Sequence, residues 1–189
     1  MTRAGLLNDR LITNGAYFDT KTENALVSIT IVDLSGTTRL TSVPAGRQTV
    51  KGWEADATWS PFEGLDILAG IGDLDSKTQT GIRARAVPQG INWRLFAKYS
   101  LKNDMLKGLF IGAGYEQTPA RALDAADTGT LPKYALLEAF AGYRWNGRWQ
   151  VQANVTNVTD EVKPWIAVAR QIIYPIEPRR VRVSVSYTW

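Results

Sequence analysis

The last ten residues constrain the fold of this chain more than any other stretch. Between Arg180 and Trp189, residues of one parity are valine, tyrosine and tryptophan, whereas those of the other are mainly arginine, serine and threonine. Alternation with a period of two indicates a β-strand with one apolar and one polar face. About ten residues is also the length that a tilted strand needs to cross a bilayer. The stretch therefore predicts a membrane-crossing strand, although an edge strand of a soluble protein could alternate in the same way.

The composition excludes several classes of protein. The chain has no cysteine and no histidine, which removes disulfides, thiol chemistry, serine–histidine nucleophiles and the usual zinc sites. Its net charge of +4 is spread along the sequence, so we expect no nucleic-acid partner. No apolar run reaches the roughly 18 residues of a transmembrane helix. Strands of a membrane barrel would escape that test, because only every second residue is apolar.

Alternation recurs along the chain and predicts about eight strands, joined by long and short connections in turn. An up-and-down arrangement would place all long loops at one end and all short turns at the other. Asn146-Gly147, between two alternating runs, predicts a tight hairpin. We predict long connections over Asp33–Gly46, Ser76–Gly90, Gln117–Thr130 and Val158–Glu177. The predicted strands are Leu11–Glu23 (an extension over Ala25–Val32 stays open), Gln48–Ser60, Leu65–Asp75, Asn92–Leu101, Leu106–Glu116, Tyr134–Trp145, Arg148–Asn157 and Arg180–Trp189.

Aromatic residues gather at the ends of these strands. Trp93, Tyr115 and, less clearly, Tyr134 fall near the long loops. Amphipathic rings collect at both headgroup levels of a membrane, so this distribution favours a membrane barrel. A lipocalin-like soluble barrel would explain the alternation equally well but not the clustering. The aromatics predicted on the apolar face near the short turns are Trp59, Tyr99, Tyr143, Trp145, Trp149, Tyr187 and Trp189.

Several short motifs resemble stations in the barrels of TonB-dependent siderophore receptors, in the same order. They are Lys51-Gly52-Trp53-Glu54, Leu106–Leu109, Leu131–Tyr134, Asn154–Asp160, and Glu177–Val181 leading into Ser-Val-Ser-Tyr. The resemblance implies an all-β fold: a segment of an antiparallel up-and-down transmembrane β-barrel with short periplasmic turns and long extracellular loops. Residues 1–189 would be the C-terminal eight of twenty-two strands, without the plug domain or the signal peptide.

The resemblance also implies function and partners. The complete protein would be an outer-membrane receptor of a Gram-negative bacterium that takes up ferric siderophores, with TonB as its partner. This chain would contact outer-membrane lipid and the barrel-insertion machinery, which would read Val185, Tyr187 and Trp189 as an assembly signal. Trp165, Arg170 and Tyr174 of the last long loop would suit a large polar siderophore, and ordinary loop packing stays open as the alternative.

The remaining polar residues are read as a lumen wall. Glu54 and Asp56 lie about 7 Å apart along one strand face, a spacing that a glycosidase could use, but a polar wall explains them better. We predict no enzyme activity, no cofactor and no metal. A self-contained eight-stranded barrel with a structural or adhesive role stays open as an alternative function. The predicted lumen-facing residues are Glu54, Asp56, Arg94, Lys98, Glu138 and Arg182.

Overall fold

The computed structural model of the chain describes residues 2–7, 10–32, 36–83, 87–124, 127–169 and 172–189. The regular elements in these ranges are strands and one turn of 3-10 helix, Asp104–Leu106. The described residues contain no helix that is long and apolar enough to cross a membrane. The strands are β1 (Thr2–Leu6), β2 (Leu11–Val32), β3 (Thr38–Trp59), β4 (Leu65–Thr78), β5 (Gly90–Ser100), β6 (Leu109–Thr118), β7 (Arg121–Ala122), β8 (Thr130–Leu131), β9 (Tyr134–Trp145), β10 (Trp149–Thr156), β11 (Pro164–Ala169), β12 (Ile172–Pro175) and β13 (Arg180–Tyr187).

Nine strands form one sheet in the order β1-β2-β3-β4-β5-β6-β9-β10-β13. Each neighbouring pair is antiparallel, so the eight predicted strands build the expected up-and-down wall. The short strand β1 was not predicted, because its five residues show no alternation of apolar and polar side chains. β1 and β13 are the two edges of this sheet. Two small hairpins, β7–β8 and β11–β12, lie within the long connections.

The hairpin of β2 and β3 extends further than predicted. Both strands have 22 residues, and pairing continues to Val32 opposite Thr38. The prediction of a loop over Asp33–Gly46 is therefore wrong, because most of that segment belongs to β3. Pro44 indicates a strand break in the sequence, but β3 continues through it. Pro44 lies beside a register shift, on a part of β3 that pairs with β2 and not with β4, so its missing N–H breaks no bond to a second strand.

Three of the four predicted long connections lie at one end of the sheet and the short turns lie at the other; the fourth, between β2 and β3, is short although it lies at the long-loop end. The connections β4–β5, β6–β9 and β10–β13 are long, whereas β1–β2, β3–β4, β5–β6 and β9–β10 are short. Backbone hydrogen bonds join neighbouring elements along the short-turn end, which continues the sheet ladder into the turns. They run from Ser60 N to Arg10 O (2.8 Å), Ser100 N to Gly64 O (2.7 Å), Arg144 N to Gly108 O (2.9 Å) and Thr188 N to Arg148 O (2.9 Å).

The register gives the sheet one apolar and one polar face. On the apolar face Val151 lies opposite Val185 and Ala153 opposite Val183. On the polar face Gln150 lies opposite Ser186. The same parity continues across all strands from β2 to β13, so each face is continuous.

The apolar face has no protein layer over it. The buried apolar residues among those described are Phe110 on the polar face and Ala122, Leu131 and Ile176 in the long connections. Val183, in contrast, is 65% exposed. Leaving such a face in water would cost about 25 cal/mol for each Å² of apolar surface. A lipid environment would satisfy it, which favours the membrane interpretation over a soluble barrel with its apolar face inward.

Candidate functional site

Aromatic rings mark both ends of the apolar face. At the short-turn end Trp145 lies opposite Trp149, and the Trp149 and Tyr187 rings are 4.8 Å apart. At the long-loop end the Trp93 and Tyr115 rings stack at 4.8 Å. On β5, Tyr99 follows Trp93 by six positions, about 20 Å along the strand. Aromatic rings at two levels with an apolar stretch between them are typical of a membrane barrel.

One predicted aromatic lies on the other face. Tyr134 pairs with Thr118 and shares the polar-face parity, and the Arg121 guanidinium lies 5.9 Å from its ring centroid. Tyr134 is therefore part of the loop structure above the sheet and does not belong to the aromatic rows of the apolar face.

Hydrogen bonds between side chains line parts of the polar face. Gln150 donates to Gln152 at 3.2 Å, Gln152 donates to Asn154 at 2.7 Å, and the Arg144 guanidinium donates to Gln150 at 2.9 Å. The three amide side chains alternate along β10 and form a ladder parallel to the strand, which Arg144 joins from β9. A face of this kind suits a hydrated wall.

The six residues predicted to face the lumen all lie on the polar face, dispersed over β3, β5, β9 and β13. Asp56 accepts a hydrogen bond from Asn14 at 2.8 Å. Arg94 lies in the same row across the sheet, and its Nε would be 3.0 Å from a Cβ added to Gly70 between them. Lys98 lies 5.3 Å from the Phe110 ring centroid.

Glu54, Arg94, Glu138 and Arg182 show no ion pair with any other described residue. Their charges are therefore available to whatever lies against this face. A groove of about 290 Å³ runs along it between Phe18, Glu54, Asn92 and Arg94.

Phenylalanines cover glycines on the polar face. Four of the five phenylalanines lie directly opposite a glycine: Phe18 with Gly52, Phe96 with Gly114, Phe140 with Gly112 and Phe110 with Gly142. Each ring occupies the space above its glycine, where a Cβ would meet it. Phe96 and Phe140 also stack, with centroids 5.4 Å apart. This pairing could not be read from the sequence, since it depends on register between strands.

The predicted substrate residues lie on the β11–β12 hairpin of the last long connection. Trp165 is 48% exposed and Tyr174 is 53% exposed. Pairing of Ile166 with Tyr174 places the two aromatics one residue apart in register. Arg170, the third predicted substrate residue, lies outside the described residues. Two exposed aromatics on neighbouring strands can offer flat surfaces to a large ligand.

Asn157 holds the base of this connection together. Its side chain is 3% exposed and donates to the backbone carbonyls of Glu161 and Glu177, each at 2.9 Å. Its amide oxygen accepts from the Glu161 N–H at 2.9 Å. Its φ of 50° is a left-handed conformation that asparagine adopts more readily than most residues. Asn157 falls within the Asn154–Asp160 motif of the sequence analysis, but the motif alone did not indicate this role.

A second contact supports the same base. The Arg179 N–H donates to the Asp160 carboxylate at 2.9 Å, and the two side chains form an ion pair at 3.4 Å. Further along, the Ile176 N–H donates to the Lys163 carbonyl at 2.8 Å. The hairpin with Trp165 and Tyr174 therefore starts from a fixed base.

An ion pair joins the β4–β5 and β6–β9 connections. The Arg83 guanidinium donates to both carboxylate oxygens of Asp127, at 2.5 to 3.0 Å, and to the Thr130 hydroxyl at 3.0 Å. Hydrogen bonding from Arg83 holds the pKa of Asp127 below its usual value, and the same bond raises the pKa of Arg83. Beside it, the Gln89 N–H donates to the Ala120 carbonyl at 3.3 Å. The two outer loops are therefore linked.

An antiparallel wall with an uncovered apolar face, aromatic rows at two levels and large loops at one end defines a segment of a transmembrane β-barrel. Residues 2–158 match the family described as TonB dependent receptor-like, beta-barrel, and the chain belongs to that family. Its members are proteins of the Gram-negative outer membrane. The predicted membrane and family assignments are thereby confirmed.

Known relatives agree with this assignment. The chain is 32% identical over 121 residues to the Ferrioxamine B receptor of Salmonella typhimurium (strain SL1344), covering 60% of this chain and 16% of that protein. It shares the fold of the siderophore receptor PiuA from Acinetobacter baumannii (TM-score 0.74, 23% identity), covering 98% of this chain and 27% of that one. The ferripyoverdine receptor of the Pseudomonas aeruginosa outer membrane gives a TM-score of 0.74 at 19% identity, with 98% and 26% covered.

Proposed function

We propose that this chain is the C-terminal barrel part of an outer-membrane receptor that takes up ferric siderophores with energy supplied through TonB. The observation that carries the proposal is the β11–β12 hairpin, which presents Trp165 and Tyr174 to solvent from a fixed base at the long-loop end. The relatives named as siderophore receptors support this ligand class. The resemblance of Glu177–Val181 to the family's C-terminal close supports the position within the barrel.

The polar face supplies the inner wall in this proposal. Glu54, Arg94, Glu138 and Arg182 would border the lumen and face the plug domain of the complete receptor. Val185, Tyr187 and Trp189 would be read by the insertion machinery. A self-contained barrel would require β1 to pair with β13, and these strands are instead the two edges of the sheet. That observation favours the receptor over a structural or adhesive barrel.

The test is uptake of iron bound to a hydroxamate siderophore. The complete receptor would be expressed in Gram-negative cells without their own hydroxamate receptors, with and without TonB, and supplied with radioactive iron–ferrioxamine B. We expect uptake that requires both the receptor and TonB. Absence of uptake with ferrioxamine B and with a panel of ferric catecholates, at normal surface levels, would contradict the proposed function.

Two substitutions test the proposed ligand surface. Replacing Trp165 and Tyr174 together by alanine should weaken siderophore binding, because it removes both exposed rings from the hairpin. Tyr17→Ala is the matched control, since Tyr17 is also exposed but lies on the apolar face of β2. Equal binding by the double variant and the control would exclude this hairpin from the site.

A further inference from the structure

The β5–β6 turn carries apolar side chains that no part of the described protein covers. Met105 is 89% exposed at its tip, and Leu106 is half exposed beside it. The turn is nevertheless well defined: the Asn103 side chain accepts from the Met105 N–H at 2.9 Å, and its carbonyl accepts from the Leu106 N–H at 3.0 Å. An ordered turn thus holds two apolar side chains away from the rest of the chain.

The register fixes the depth of this tip. Gly108 lies opposite Arg144 through a backbone bond of 2.9 Å, so Lys107 is level with Trp145. Trp145 belongs to the aromatic row with Trp149. Met105 precedes Lys107 by two residues, at most about 7 Å along the chain. The tip therefore lies at the level where tryptophan rings meet headgroups.

The neighbouring β3–β4 turn extends the same apolar surface. Phe62 is 55% exposed, and its ring packs edge-on against Tyr99 of the apolar face, with centroids 6.4 Å apart. Glu63 in that turn pairs with Lys102 of the next one at 2.9 Å, which joins the two turns. Apolar surface thus continues from the membrane-facing strands onto both turns.

The charges around the tip suit a phospholipid surface. Lys102 and Lys107 bracket Met105 and Leu106 in sequence and are exposed, as is Asp104 within the turn. Lys102 is paired with Glu63, whereas Lys107 forms no ion pair with any other described residue. The Lys107 stem can lie along apolar surface while its ammonium group reaches a lipid phosphate. We propose that the β5–β6 turn, together with Phe62, inserts into the phospholipid monolayer at the short-turn end and anchors that end of the barrel wall.

The β9–β10 turn offers an internal contrast. Asn146, Gly147 and Arg148 form its tip, directly between Trp145 and Trp149, and Asn146 is exposed. Its side chains are polar, so we expect them to stay in water at a similar distance from the aromatic row. The two turns should therefore differ in lipid contact although both extend from the same end of the sheet.

The experiment compares labels at these two tips. The chain contains no cysteine, so Met105→Cys and Asn146→Cys can each carry a single nitroxide on a cysteine-free version of the complete receptor. The receptor would be reconstituted in vesicles of phosphatidylethanolamine and phosphatidylglycerol. We expect the label at 105 to collide more with oxygen than with a water-soluble nickel complex, and the label at 146 to show the reverse. Met105 is almost fully exposed, so its replacement should not disturb folding.

Two results would overturn the anchor. One is a label at 105 that is as accessible to the nickel complex as the label at 146. The other is a label in water that becomes protected only when periplasmic proteins are added, which would make the turn a protein-binding surface. The proposed anchor depends on the sheet lying in a membrane but not on siderophore binding. The label experiment can therefore fail while the uptake experiment succeeds, and the reverse.

Discussion

Asn157 offers the sharpest test of how the outer hairpin is held. Its replacement by glycine removes three hydrogen bonds of 2.9 Å but tolerates the φ of 50° without strain. A hydrogen bond contributes about 0.5–1.5 kcal/mol net, and a buried group left unpaired costs about 1–3 kcal/mol. Glu161 is half buried and Glu177 is exposed, so water can satisfy part of what is lost. We expect the base of the connection to be destabilised by about 2–4 kcal/mol.

That free energy translates into a measurable opening. At 1.36 kcal/mol for each factor of ten, the open population of the connection should rise about 30- to 1,000-fold. Hydrogen exchange of the amides in 157–179, followed by mass spectrometry on the receptor in nanodiscs, reports this population when closing is faster than exchange. The amides of Glu161 and Ile176 should lose the most protection, because both bonds lie at the base.

Two further variants separate the contributions. Asn157→Asp keeps the acceptor for the Glu161 N–H but turns a buried carboxylate oxygen toward the Glu161 and Glu177 carbonyl oxygens, so its effect at neutral pH should be at least as large as that of Asn157→Gly. Asn154→Ala, on the strand before the connection, removes a bond to Gln152 and should leave exchange in 157–179 unchanged. Unaltered exchange in Asn157→Gly would refute the clamp, as would an equal effect of Asn154→Ala.

Three other predictions follow from contacts at separate sites. Gly112→Ala should lower the yield of folded receptor, measured by heat-modifiable migration in gels, because the new Cβ meets the opposing phenylalanine ring; Gly15→Ala, where a Cβ meets only a carbonyl oxygen at 3.9 Å, should not. Asp127→Asn should increase hydrogen exchange in both loops that Arg83 links, because it removes the ion pair. The pKa of Asp127 is lowered, so the wild-type loops should approach the exchange of the variant only at a pH acidic enough to protonate Asp127. Identical exchange of the two proteins at neutral pH would contradict this. Deleting Tyr187–Trp189 from the complete receptor should abolish outer-membrane insertion, and normal surface levels would exclude that role.

Strand positions could be predicted because they depend on a local pattern. Alternation of apolar and polar residues in stretches such as Asn92–Leu101 indicates a strand with one apolar and one polar face, and this holds for any partner strand. β1 escaped prediction since five residues give too little alternation, and the far half of the β2–β3 hairpin escaped because Gly36, Pro44 and Gly46 suggested a loop. Pairing with the opposite strand overrode those local preferences.

Contacts between strands could not be predicted in the same way. Phe140 meets Gly112 only because β6 and β9 pair in one particular register, and nothing in either strand alone specifies it. The role of Asn157 likewise requires Glu161 and Glu177 to approach each other across a connection of many residues. Parity alone assigns the charged residues to one face of the sheet, whereas their neighbours on that face depend on the register.

The uncovered apolar face implies an uneven tolerance to change. Acyl chains are fluid and can fill the space left by a smaller side chain, so Val183→Ala would lose transfer energy without leaving a cavity. Phe140 has a fixed glycine beneath it and a stacked ring beside it, so its truncation would lose both contacts, and no fluid apolar chain on that face would replace them. The lipid-facing positions should therefore accept exchange among apolar types, whereas a larger residue at a glycine such as Gly112 should require a smaller one at the phenylalanine opposite.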